Sequence, residues 1–151
     1  MTNTRTTVMA AAERDEFLGV GGTGVVSFAR GSDEAPYSLP VSYGYDAEDE
    51  QFYLRLAFDP EGGKTGLVGE QTPVSFVVHR QRDSGWASVV ATGHLSEVTE
   101  AALDSSVAAG LRRIEIPLVD VFDRHPREYE FRFFRLVTDE VQAKKQVPSD
   151  S

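Results

Sequence analysis

Ser38-Leu39-Pro40-Val41-Ser42-Tyr43-Gly44-Tyr45, the acidic run Asp46-Ala47-Glu48-Asp49-Glu50, and Gln51-Phe52-Tyr53-Leu54-Arg55-Leu56-Ala57 form the stretch that decides the fold. Apolar residues recur at period two on both sides of a short polar turn, which is the signature of a β-hairpin. Pro40 lacks an N–H and cannot donate to a ladder, so it is expected at an edge or a bulge.

Working outward, Val25 to Arg30 reads as a preceding strand, closed by the turn Gly31-Ser32-Asp33-Glu34. Two more strands, Val74 to Arg80 and Trp86 to Leu95, follow downstream, joined by Gln81 to Gly85. Gly93 marks a bulge or a close approach. Glu128 to Val137 alternates as a last strand. Helices are predicted over residues 8–18, capped by Thr7, over Thr65–Glu70, and from a Thr99 cap to about Arg113. Ile114 to Phe122, interrupted by Pro117, favours no one structure. Residues 1–7 and the polar tail 143–151 are expected to fray. The sum is one mainly β domain over 1–151: about six strands and one larger helix, as a small antiparallel barrel with helical caps.

Composition narrows the function. A chain of 151 residues with 40% hydrophobic content can bury a real core. Twenty-four acidic residues against 15 basic ones, net −9, oppose nucleic acid and anionic membranes as partners. No apolar run reaches the roughly 20 residues of a membrane span, and the start Met1-Thr2-Asn3-Thr4 has no signal-like core, so the cytoplasm is expected. With no cysteine, disulfides, thiolate metal sites and cysteine nucleophiles are excluded. Only Lys64, Lys144 and Lys145 are lysines. High acidity with so few lysines suggests a salt-rich, halophilic cytosol; equal stability in dilute and molar salt would overturn that expectation.

Most motifs fall away on context. Gly19-Val20-Gly21-Gly22-Thr23-Gly24 matches the spacing of a dinucleotide fingerprint, but a helix precedes it and a strand follows, the reverse of what that site needs. His79, His94 and His125 have no metal-ligand spacing, and His79 and His94 read as polar-face strand residues. No serine sits in a nucleophile elbow. Trp86, on physics alone, reads as a core residue. One feature points to a ligand: Arg55 on a strand, and Lys64 within Gly62-Gly63-Lys64-Thr65 at a predicted helix start. Two glycines permit close approach, and cations beside a helix N-terminus suit a phosphate. The competing reading of Lys64 is an exposed turn lysine.

The ordered set Phe17-Leu18, Pro36-Tyr37-Ser38-Leu39-Pro40-Val41-Ser42-Tyr43, Phe52-Tyr53-Leu54-Arg55, Gly62-Gly63-Lys64, Trp86-Ala87-Ser88-Val89-Val90-Ala91-Thr92-Gly93 and Phe131-Arg132-Phe133-Phe134-Arg135-Leu136 resembles the pyridoxamine-phosphate-oxidase-like FMN-binding split barrels. The resemblance implies a six-stranded split barrel that forms a homodimer, with FMN in clefts at the subunit interface. Arg55, Lys64 and Thr65 would hold the flavin phosphate. Ser38, Pro40, Val41 and Ser42 would line the ring system and ribityl chain, largely through backbone groups. Trp86 and Ser88 would lie close to the flavin, often from the partner chain. A flavin-dependent oxidoreductase acting on a small molecule is the leading expectation. A deazaflavin-dependent reductase, a non-catalytic flavin- or haem-binding protein, and a purely structural acidic barrel are the alternatives. Arg55 stands where many relatives carry a histidine, and the run to Ser151 lacks the arginine–histidine pair of true pyridoxamine-phosphate oxidases. Vitamin B6 oxidation is therefore not the expected reaction.

Overall fold

A computed structural model describes residues 4–58, 71–99, 109–110, 114 and 130–148. Among the described residues the elements run in order β1 (Thr4–Val8), α1 (Ala11–Leu18), β2 (Gly21–Phe28), β3 (Tyr37–Asp46), β4 (Gln51–Phe58), β5 (Val74–Arg82), β6 (Gly85–Glu97) and β7 (Glu130–Pro148). Six of them close an antiparallel barrel in the order β7-β4-β3-β2-β5-β6, with β6 returning to β7. Closure gives each of these six strands a neighbour on both sides over part of its length, so none is an edge strand throughout. The predicted helix over 65–70 lies outside the described residues; of the one from the Thr99 cap, Thr99, in neither helix nor strand, and the helical Ala109 and Gly110 are described.

Period two governs the interior. Val41, Tyr43 and Tyr45 of β3 and Phe52, Leu54 and Leu56 of β4 point inward and are buried. Tyr43, Phe52 and Phe76 meet at ring centroid distances of 5.5–6.3 Å, and Tyr45 lies 4.8 Å from Phe52. Burial of each such ring stabilises by about 1.5–3 kcal/mol. Gly24 is required by this packing: a Cβ there would come within 2.7 Å of Phe76 Cζ and of the Val77 carbonyl oxygen.

Helix α1 closes against the core through Phe17 and Leu18. Tyr43 donates its hydroxyl to the Leu18 carbonyl (2.8 Å), and Tyr45 donates to Asp15 Oδ1 (2.8 Å). Gly19 ends the helix at φ 63°, where glycine carries no Cβ penalty. The predicted start is corrected. Thr7 belongs to β1, the helix begins at Ala11, and Ala10 at the cap supplies no side-chain hydrogen bond.

Two strand features match the reading of the sequence. Pro40 pairs with Val25 of β2, but β4 pairs β3 only from Ser42 onward, so the missing N–H meets no second strand. Gly93 sits at a register shift between β6 and β7, where a side chain would run into the backbone of Val137.

The ends depart from expectation. Thr4–Val8 pairs antiparallel with Lys144–Pro148, and β7 runs 19 residues rather than stopping near Val137. The reason is sharing. The first part of β7 pairs with β4 and β6, and its last part pairs with β6 and β1. Polar residues join through backbone pairing, with β6 along 137–145 and with β1 along 144–148, and not because an apolar face demands it.

Candidate functional site

Alternation that buries Tyr43 and Leu54 turns Ser42 and Arg55 outward, directly opposite each other in the β3–β4 register. Thr23 of β2 continues the row beyond Ser42. Ser38 and Pro40 share this outer face and are exposed, and Ser27 and Ser38 share a hydroxyl hydrogen bond of 2.6 Å. Val41 faces the core with 6% exposure, so only its backbone can reach a ligand.

Arg55 is half-buried, with its guanidinium 4.4 Å from the centroid of the Phe131 ring. Desolvation lowers its pKa from the ordinary guanidinium value. Among the described residues no carboxylate pairs with it. A partly desolvated cation without a counter-charge is costly, and an anion brought to it recovers that cost. Ser42 beside it is 5% exposed. Lys64 and Thr65, the other expected phosphate ligands, lie outside the described residues.

Trp86 and Ser88 lie elsewhere. They face outward on β6, which the closed barrel sets beyond β7 from β4. Arg55 pairs with Phe133 of β7, whereas Ala87 and Ser88 pair with Lys145 and Lys144, so the two groups meet β7 at opposite ends, roughly 36 Å apart along the strand at about 3.3 Å per residue. One chain therefore does not bring all the expected residues to a single ligand. Trp86 is also 45% exposed, which corrects its reading as core. Its strand starts at Gly85 (φ 120°), so the turn fixes the alternation that turns Ala87 inward and Trp86 outward.

A pocket of about 170 Å³ opens beside that indole. Its rim is made by Thr6, His79, Trp86, Ser88, Lys144 and Gln146, and its floor by Ala87 and Lys145. Register explains the grouping: His79, Ser88 and Lys144 lie in one row across β5, β6 and β7. Thr6 enters only because β1 pairs with β7. Of this rim, sequence reading picked out Trp86 and Ser88 by resemblance but gave His79 only a polar surface role. Lys144 had been placed in the fraying tail.

A closed six-stranded antiparallel barrel with a short helix against its core is the split-barrel architecture. The sequence profile of the pyridoxamine 5'-phosphate oxidase family matches residues 10–145, and the chain belongs to that family. Solved structures agree on the fold. A candidate pyridoxamine 5'-phosphate oxidase from Corynebacterium glutamicum superposes with a TM-score of 0.64 at 20% identity, covering 96% of this chain and 100% of that one. An FAD-binding protein from Mycobacterium smegmatis gives 0.64 at 16% identity, covering 95% and 100%. A further FAD-binding protein, from Mesorhizobium loti, gives 0.62 at 21% identity, covering 99% and 100%. No curated protein matches the sequence.

Proposed function

We propose that this chain is a flavin-binding oxidoreductase that works as a homodimer, with FMN as the flavin. The observation that carries the reading is Arg55: a partly desolvated guanidinium on a strand, without a carboxylate among the described residues, beside the Ser42 hydroxyl. That donor set fits a phosphate monoester, which takes charge-assisted hydrogen bonds from a fork-shaped cation and a hydroxyl. Lys64 and Thr65 would complete the grip, while Ser38, Pro40 and the Val41 backbone would wall the ring system. Bound flavin would supply hydride or electron transfer; the chain supplies grip, access and electrostatics.

A homodimer would reconcile the separation along β7 with the resemblance: Trp86 and Ser88 would approach an Arg55-bound flavin from a second chain. Pro40, Val25, Val77 and Val90 form one outward row across β3, β2, β5 and β6, and Val25, Val77 and Val90 in it are half-buried. A second copy would cover that row.

The test is a titration of the purified protein with FMN, FAD and a deazaflavin, followed by flavin fluorescence; FAD is included because two structural neighbours are described as binding it. FMN should bind most tightly, and Arg55→Ala should weaken it about 10- to 100-fold, the scale of a charged hydrogen bond. No quenching of any flavin would overturn the assignment.

A further inference from the structure

We propose that Phe131 is a positioning residue for the Arg55 grip: its ring holds the guanidinium fork ready for a phosphate, so that the chain selects a phosphorylated ligand over the same ligand without its phosphate. This role rests on the flavin reading above, which supplies the phosphate.

Strand register brings the two side chains together. Arg55 stands opposite Phe133, and Phe131 stands opposite Ala57, so Phe131 is the diagonal neighbour of Arg55 on the outward face. Diagonal neighbours across a ladder lie within reach of long and aromatic side chains. Ala57 carries only a methyl group, which leaves the ring room to lie towards Arg55. The guanidinium carbon stands 4.4 Å from the ring centroid, well inside the range of a cation–π contact. Both residues are half-buried, so water weakens the contact less than at an open surface.

Charge decides what the contact is for. Arg14, Arg30, Arg82 and Arg132 each meet a carboxylate. Among the described residues Arg55 meets none. A carboxylate would fix Arg55 as a ring does, but it would occupy the N–H fork, and an incoming phosphate would have to displace it. A ring face attracts the cation through its quadrupole and takes none of the five N–H donors, which lie in the guanidinium plane. The stack therefore orders the fork before the ligand arrives and leaves its donors unused. The entropy of holding a long side chain still is then lost on folding and not again on binding.

Two readouts test this. In isotope-labelled protein without ligand, the Arg55 Nε–H proton, assigned by its loss in Arg55→Ala, should be shifted upfield by the ring. Phe131→Leu, which keeps apolar bulk but loses the ring, should move it back downfield. Flavin titrations give the second readout. Phe131→Leu should weaken FMN about three- to tenfold, while riboflavin, the same ring system without a phosphate, stays within about twofold of the parent. Phe131→Tyr, which keeps a ring, should hold FMN within about twofold. In Arg55→Ala, adding Phe131→Leu should change FMN affinity by less than about twofold, since no fork is left to position.

Equal weakening of FMN and riboflavin, unaltered FMN affinity in Phe131→Leu, or FMN as weak in Phe131→Tyr as in Phe131→Leu would overturn the inference while leaving the flavin reading standing. If the parent binds no flavin, the flavin reading falls by itself, and inorganic phosphate decides the role of Phe131. Phosphate should then move the Arg55 signal in the parent, with an affinity about three- to tenfold tighter than in Phe131→Leu. Equal phosphate affinity in the two proteins, or an Arg55 signal that phosphate does not move, would overturn the inference.

Discussion

Gly93 is pressed so closely against Val137 that a Cβ added to it would overlap the Val137 carbonyl oxygen. The obstacle is backbone in a closed barrel and cannot swing aside as a side chain would. Gly93→Ala should therefore cost about 3 kcal/mol or more, at the upper end of overpacking. Gly31→Ala is the control. Its new Cβ would meet Glu34 at an ordinary 3.6 Å, and stability should change by less than about 0.5 kcal/mol. Urea midpoints of the two variants measure the difference.

Acid should loosen the fold through two carboxylates. The Lys145 ammonium, hydrogen-bonded to Glu13, holds that carboxyl below its ordinary pKa, with Arg82 assisting. Arg132, donating to both oxygens of Glu97, lowers that pKa in the same way. Lowered folded values mean that the unfolded chain binds protons more readily. The stabilisation is complete above the unfolded carboxylate pKa of about 4.3 and is lost as pH falls through the folded values. Urea midpoints should decline below about pH 4.5, and the decline should be shallower in Glu13→Gln/Glu97→Gln. An identical slope in the double variant would contradict this.

At high pH the sign reverses. Burial raises the Tyr43 pKa, and burial with the hydrogen bond to Asp15 raises that of Tyr45. Both phenols favour the folded state while neutral, so their contribution is full below about pH 10 and is lost as pH rises through the folded values. Ultraviolet titration should show their phenolates appearing together with unfolding. Tyr45→Phe, which removes the donor to Asp15, should cost about 1 kcal/mol.

Lys64→Ala should weaken FMN binding by about 1.5–3 kcal/mol while changing the unfolding free energy by less than about 0.5 kcal/mol. Unchanged flavin affinity would move the phosphate away from the Gly62–Thr65 segment.

The hairpin 38–57 was legible because apolar alternation there is set by a single interior: inward Val41, Tyr43, Phe52 and Leu54 all reach one core. Gly93 and Pro40 were legible for a related reason, since each lacks a group that a regular ladder needs. Strand β1 was not legible. Thr4-Arg5-Thr6-Thr7-Val8 has no apolar stripe, and only a partner 136 or more residues away makes it a strand. Lys144 was hidden for that reason too. Trp86 misled because hydrophobic area favours burial in general, whereas its facing depends on parity counted from Gly85. Arg55 could be picked out as a lone cation on a strand, but its separation from Trp86 could not, because sequence order does not say at which end of β7 each strand pairs.

Thr4 and Pro148 stand opposite each other in the β1–β7 ladder. The two extremities of the described chain thus leave the molecule at one place, next to the wall that Thr6 contributes. A bridge of only a few residues could splice them without distorting the barrel, and new termini could be opened in the solvent-facing turn Gly31–Glu34. Such a circular permutant would keep every strand pairing while freeing the neighbourhood of Trp86 from loose ends.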